Sequence, residues 1–105
     1  MNLYHVSHKR NSQSILKRGI IPSYRKGLLS CEDNLTYLTP SLTYIKIIAE
    51  EIALWKHYTI FKVCVLKKDL KLLWWKGKGF KEWTTTKPIS PDRISVFKQI
   101  KKSSI

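Results

Sequence analysis

LTYLTPSLTYIKIIAEEIALWKHYTIFKVCV, residues 35–65, carries two hydrophobic periods in succession, and the change from one to the other decides the fold. Residues 35–38 read as a short strand, and Thr39-Pro40 supplies an N-cap followed by the residue best tolerated at the first helical position, so a helix is expected to start there. Ile45, Ile48, Ala49, Ile52 and Trp55 then recur at three-and-four spacing, an apolar stripe with Glu50, Glu51 and Lys56 outside it. From residue 59 to 65 the period drops to two: Phe61, Val63 and Val65 on one face, Ile60, Lys62 and Cys64 on the other, the pattern of a half-buried strand.

Working outward, residues 3–7 read as a strand. Asn11 or Ser12 is expected to cap a helix running through Ile15 and Leu16 to Gly19, a left-handed stop reinforced by Pro22. Residues 23–34 lack a clean period and read as a loop carrying Tyr24, Arg25 and Lys26. Toward the C-terminus, residues 70–75 predict a strand, Gly77 and Gly79 a turn, and 82–86 an extended segment built on three threonines. Pro88 and Pro91 mark a rigid loop, and Ile94, Val96, Lys98 and Ile100 alternate as a last strand; residues 101–105 are expected to fray. The order β-α-β-α-β-β-β-β places two main helices in the N-terminal half and favours an α+β domain over a parallel doubly wound sheet.

A chain of 105 residues fits one domain, since halving it would leave each core too small to stand alone. Four Trp, five Tyr and three Phe provide ample flat surface. Twenty Lys and Arg against seven Asp and Glu give a formal charge of +13 and a pI near 10.0. That imbalance points first to nucleic acid, single-stranded DNA or RNA, with an acidic protein as the other class of partner. Cys31 and Cys64 are far apart and have no metal-ligand spacing. They are expected to be buried, reduced thiols, with no metal and a cytoplasmic location. No run approaches the length needed to span a bilayer, and residues 1–10 lack a signal-peptide apolar region, so no membrane association is expected.

Three residues on predicted strands could carry chemistry. His5 can present one ring nitrogen to the backbone and the other to a hydroxyl. Tyr37 offers a ring for stacking a heterocycle. Glu82, set among lysines, can stabilise a developing cation. Each has a plainer reading: His5 as a satisfied core histidine, Tyr37 as packing, Glu82 as an ion-pair partner of Lys78 or Lys81.

Their order gives them joint weight. LYHVSHKRNSQSILKRGIIPS, LTYLTPSLTYIKIIAEEIA and KEWTTTKPISPDRISVF together resemble the three blocks of the ADP-ribosyltransferase superfamily, whose compact fold, a mostly antiparallel split sheet, carries a His-Tyr-Glu triad on separate strands. The first block is most similar to that of DNA-modifying members. The resemblance implies NAD as co-substrate. His5 would bind the nicotinamide ribose, Tyr37 would stack on nicotinamide, and Glu82 would stabilise the oxocarbenium-like sugar. Ser7, Asn11 and Tyr44 would be further dinucleotide contacts. Phe80 stands where arginine-modifying members carry Glu or Gln, which argues against an arginine acceptor.

The leading expectation is therefore transfer of ADP-ribose from NAD to nucleic acid, with Arg25, Lys26, Lys76, Lys78 and Lys81 on phosphates and Trp74 or Trp75 stacking a base. Alternatives are a non-catalytic nucleic-acid-binding protein that keeps the fold and an NAD-dependent RNA 2′-phosphotransferase using His8, Arg10 and Arg18. A small basic endoribonuclease of the toxin type is a third, in which Glu82 would be idle.

Overall fold

A computed structural model describes residues 1–21, 36–74 and 81–101 of the chain. Within them the element order is the expected one: β1 (Asn2–His8), α1 (Ser12–Arg18), β2 (Thr36–Leu38), α2 (Leu42–Lys46), β3 (His57–Cys64), β4 (Lys71–Trp74), β5 (Lys81–Thr85) and β6 (Ile94–Lys101). The fold is α+β. Two antiparallel three-stranded sheets, ordered β1-β3-β6 and β2-β5-β4, meet where Tyr4 of β1 bridges Thr39 just past β2.

The alternation in β3 lets the first sheet bury both faces. Leu3, Phe61, Val63 and Ile94 join Leu38 of the second sheet, Ile15 of α1 and Ile89, with Trp83 packed against them. On the opposite face Val6, Tyr58 and Ile60 pack against Ile45 and Ala49 of the second helix, with Ile48 and Trp55 at the margin. Ile60, expected on the more polar face of β3, is buried because that helix covers it.

Four local expectations are corrected. Thr39 does not cap α2: its backbone exchanges two hydrogen bonds with Tyr4 (2.8 and 3.0 Å), and Ser41 takes the cap, its Oγ accepting from Tyr44 N at 3.1 Å. Nor do the side chains of Asn11 and Ser12 cap α1. Asn11 Nδ2 donates to Ser7 Oγ (3.2 Å), Ser12 Oγ pairs with Thr59 Oγ1 (2.7 Å), and His8 Nδ1 accepts from Arg10 N in the preceding 3₁₀ turn.

Glu50 does not lie outside the helix stripe. Beyond α2 the helix widens into a π-helical segment, Ile47–Ile52, with Ala53 N bonded to Ile48 O. The extra residue in the turn rotates Glu50 inward, where it accepts from the buried Tyr58 hydroxyl at 2.5 Å. Burial, reinforced by that bond and by the Glu50 charge, pushes the Tyr58 phenol well above its usual range. Finally, Cys64 is exposed on the outward face of β3; Cys31 lies outside the described residues, as do Tyr24, Pro22, Gly77, Gly79 and the tail from residue 102.

β6 departs from simple alternation. Ile60 pairs with Lys98 but Phe61 with Val96, so Phe97 is an extra residue, a β-bulge on the sheet's free edge. Gly19 ends α1 with φ 86° and ψ −174°, extended at positive φ rather than in the left-handed helical well, and sends the chain into a backbone bridge between Ile20 and Ile89. An added Cβ there would stand 2.1 Å from the Ile89 carbonyl oxygen. Gly19→Ala should therefore cost at least about 1–3 kcal/mol from the backbone conformation alone. Urea unfolding checks this, and an unchanged midpoint would contradict it.

Candidate active site

The parting between the two sheets is where the His5 ring reaches the backbone of Tyr37. Tyr4 and Thr39 form a hydrogen-bonded pair, so a continued antiparallel ladder would make Val6 and Tyr37 the next such pair. Instead the named pairing of β1 with β2 stops at one bridge, and the Tyr37 carbonyl oxygen meets His5 Nδ1 at 3.1 Å. The imidazole thus stands in the gap where the strands part, buried and fixed in orientation by one backbone group.

Tyr37 pairs with Thr84 and Leu38 with Trp83. Tyr37 and Glu82 therefore point to the same face of the second sheet, on adjacent strands and two positions apart. His5, Tyr37 and Glu82, separated by 32 and 45 residues in sequence, occupy three neighbouring strands. Thr39 secures the arrangement: its Oγ1 donates to the Lys81 carbonyl oxygen (2.8 Å) and accepts from Ser41 N (3.1 Å), joining β2, β5 and the start of α2.

Glu82 is only 3% exposed and is not an ion-pair partner of Lys81, whose side chain points outward. Burial raises its carboxyl above the ordinary range, and a hydrogen bond from the Tyr44 side chain works in the opposite direction. Tyr44 is enclosed, and its hydroxyl is directed to Glu82. Its described role is thus to hold the carboxylate. Its position was legible as part of the helix's inner face, four residues before Ile48; its bond to Glu82 needed the fold.

Ser7 is fully buried and accepts from Asn11, which is the more exposed of the two. Ser7 pairs across the sheet with Thr59, which bonds Ser12, so these hydroxyls form a polar seam beneath α1. Arg25, Lys26, Trp75, Lys76 and Lys78 lie outside the described residues; of Trp74 the structure describes the backbone, in β4. His8 stands edge-on to Trp55 with ring centroids 6.0 Å apart.

A cavity of about 220 Å³ lies elsewhere, between Val65, Leu70, Thr85, Ile89 and Arg93. None of the triad lines it, and its Lys87–Asp69 ion pair (2.8 Å) is exposed and contributes little. Among the described residues no group of three or more His, Cys, Asp and Glu could hold a metal ion, and no helix is long and apolar enough to cross a membrane. No protein-family model matches the chain, and no curated protein matches it.

The raised carboxyl has a thermodynamic signature. A proton held more tightly by Glu82 in the folded chain than in the unfolded one gives stability that is complete at low pH, declines as pH rises through the unfolded value toward the raised folded value, and is level beyond. Glu82→Gln removes that decline. The variant's urea midpoint relative to wild type should rise as pH increases through the ordinary glutamate range toward the raised folded value; a difference independent of pH would contradict the assignment.

Proposed function

We propose that the chain is an NAD-dependent ADP-ribosyltransferase acting on nucleic acid. The observation that supports this most is a sequestered carboxylate, hydrogen-bonded by a phenol, on the strand next to Tyr37, whose backbone carbonyl in turn meets the His5 ring. It agrees with the resemblance of the three sequence blocks to that superfamily. Transfer requires the C–N glycosidic bond of NAD to break, with nicotinamide leaving on the bonding electrons and positive charge growing on the ribose. A fixed carboxylate in a poorly solvated site stabilises that charge more than it stabilises the neutral sugar. The acceptor's nucleophile then bonds to the sugar carbon and loses its proton.

The residues fit such a co-substrate in kind. His5, oriented through Nδ1, would position the ribose; the half-buried Tyr37 ring would lie against nicotinamide; Glu82 must be ionised to work. The bond from Tyr44 favours that ionised form against the effect of burial. The high positive charge favours a polyanionic acceptor. The Nδ1–carbonyl contact also meets the plainer role of a satisfied histidine, which is why activity must decide.

The deciding assay mixes the protein with labelled NAD and a single-stranded oligonucleotide. Label should enter the nucleic acid, and Glu82→Gln should reduce its rate by about 10²–10³-fold, the scale of losing one transition-state electrostatic contact. Undiminished labelling in that variant would remove the proposal. Tyr44→Phe should act differently. Without the phenol's hydrogen bond the Glu82 carboxyl rises further, so the acidic limb of the pH–rate profile moves to higher pH while the alkaline plateau is largely kept. A uniform drop at every pH would show that Tyr44 supports the fold alone.

A further inference from the structure

The first sheet is covered only in part. α2 and the π-helical segment cover the row around Val6, Tyr58 and Ile60; in the next row on that face Tyr4 is half-buried at the margin of that cluster and Lys62 is exposed. There Phe97, raised by the bulge and 44% exposed, meets Tyr4 edge to face, with ring centroids 5.0 Å apart and planes at 68°. Lys62 is the direct cross-strand neighbour of Tyr4, and Lys98 follows Phe97; both are exposed. The strands β1, β3 and β6 contain no Asp or Glu. Of the acids packed near this face, Glu50 is bonded to Tyr58 and lies with the covered part.

This row continues toward the candidate site. Cross-strand partners share a face, so Lys62, Tyr4 and Thr39 form one line. The β2–β5 register carried one residue further sets Thr39 beside Glu82. An exposed aromatic on a sheet face, flanked by unopposed lysines, is what an unpaired base and its phosphates require: stacking supplies affinity without sequence preference, and the cations neutralise the backbone. A duplex keeps its bases stacked internally and offers this surface only phosphates.

We propose that Tyr4 and Phe97, with Lys62 and Lys98, form the surface on which a single-stranded nucleic acid docks, at the outer end of the strand row in which the buried Thr39 stands between Tyr4 and Glu82. Its role as an acceptor surface rests on the transferase reading; its binding of single strands does not, and can be measured without NAD.

The test is fluorescence anisotropy of the full chain with labelled single-stranded DNA and RNA oligonucleotides and with the matching duplex, alongside NAD turnover measured with no acceptor. Phe97→Ala should weaken single-strand binding roughly 5- to 100-fold and Phe97→Trp should retain it. Lys62→Ala with Lys98→Ala should reduce the slope of log affinity against log salt by about 1.4. Acceptor-free turnover should be unchanged in all of these variants. Wild-type affinity and salt slope in the Phe97 and lysine variants, or equal binding of duplex, would overturn the docking surface. Should Phe97→Ala unfold the edge strand, the lysine pair decides, since both side chains are solvent-facing. Loss of NAD turnover in Glu82→Gln with the docking surface intact, or the reverse, separates the two proposals.

Discussion

The site depends on a ladder that opens. Between Tyr4 and Thr39 the backbones of β1 and β2 exchange hydrogen bonds as neighbouring strands do, and at the next position the imidazole of His5 occupies the Tyr37 carbonyl instead. A polar carbonyl left at such a parting would be costly if it were enclosed without a partner. The imidazole satisfies it and holds the gap in one shape. Two sheets joined at one bridge can diverge around a ligand while remaining a single cored unit, because the packing of Leu38 and Trp83 against Leu3, Phe61 and Val63 ties them together behind the opening.

Thr39 turns that opening into a defined site. A helix cap at this position, as the Thr-Pro pair suggests, would have left the Lys81 carbonyl without the Thr39 hydroxyl that extends the β2–β5 pairing past Leu38. In the fold its backbone holds β1, its hydroxyl holds the Lys81 carbonyl, and the cap passes to Ser41. Tyr44 then projects from the first turns of α2 to Glu82. The carboxylate is thus positioned by a neighbouring strand and a helix that are both referenced to the same threonine. Burying an ionisable group this way has a cost in stability, one that active sites commonly carry for the sake of electrostatic preorganisation.

Much of this was legible in the sequence because periodicity reports burial directly. The change from three-and-four spacing to alternation at residue 59 set the order of elements, and the grouping of helices before strands set the fold class. What was not legible followed from contacts between distant residues. Glu50 turns inward only because the helix widens, Cys64 faces outward because its strand ends beside Lys62 rather than under a helix, and Phe97 breaks its strand's alternation because the partner strand has one residue fewer. The triad could be named as residue types at suitable places; that β1, β2 and β5 would be neighbours could not be read from spacing. The basic residues first assigned to nucleic acid, around residues 25 and 76, are distinct from the lysines that the sheet sets beside Tyr4 and Phe97.

The account stands or falls on whether NAD enters the parting of β1 from β2. An ¹⁵N-resolved NMR titration of the full chain with NAD reads this residue by residue. The account predicts shifts concentrated at His5, Tyr37, Thr39 and Glu82 that saturate together as NAD is added. Shifts confined to the cavity near Lys87 and Arg93, or a spectrum indifferent to NAD at millimolar concentration (about the upper end of ordinary substrate affinities), would contradict it.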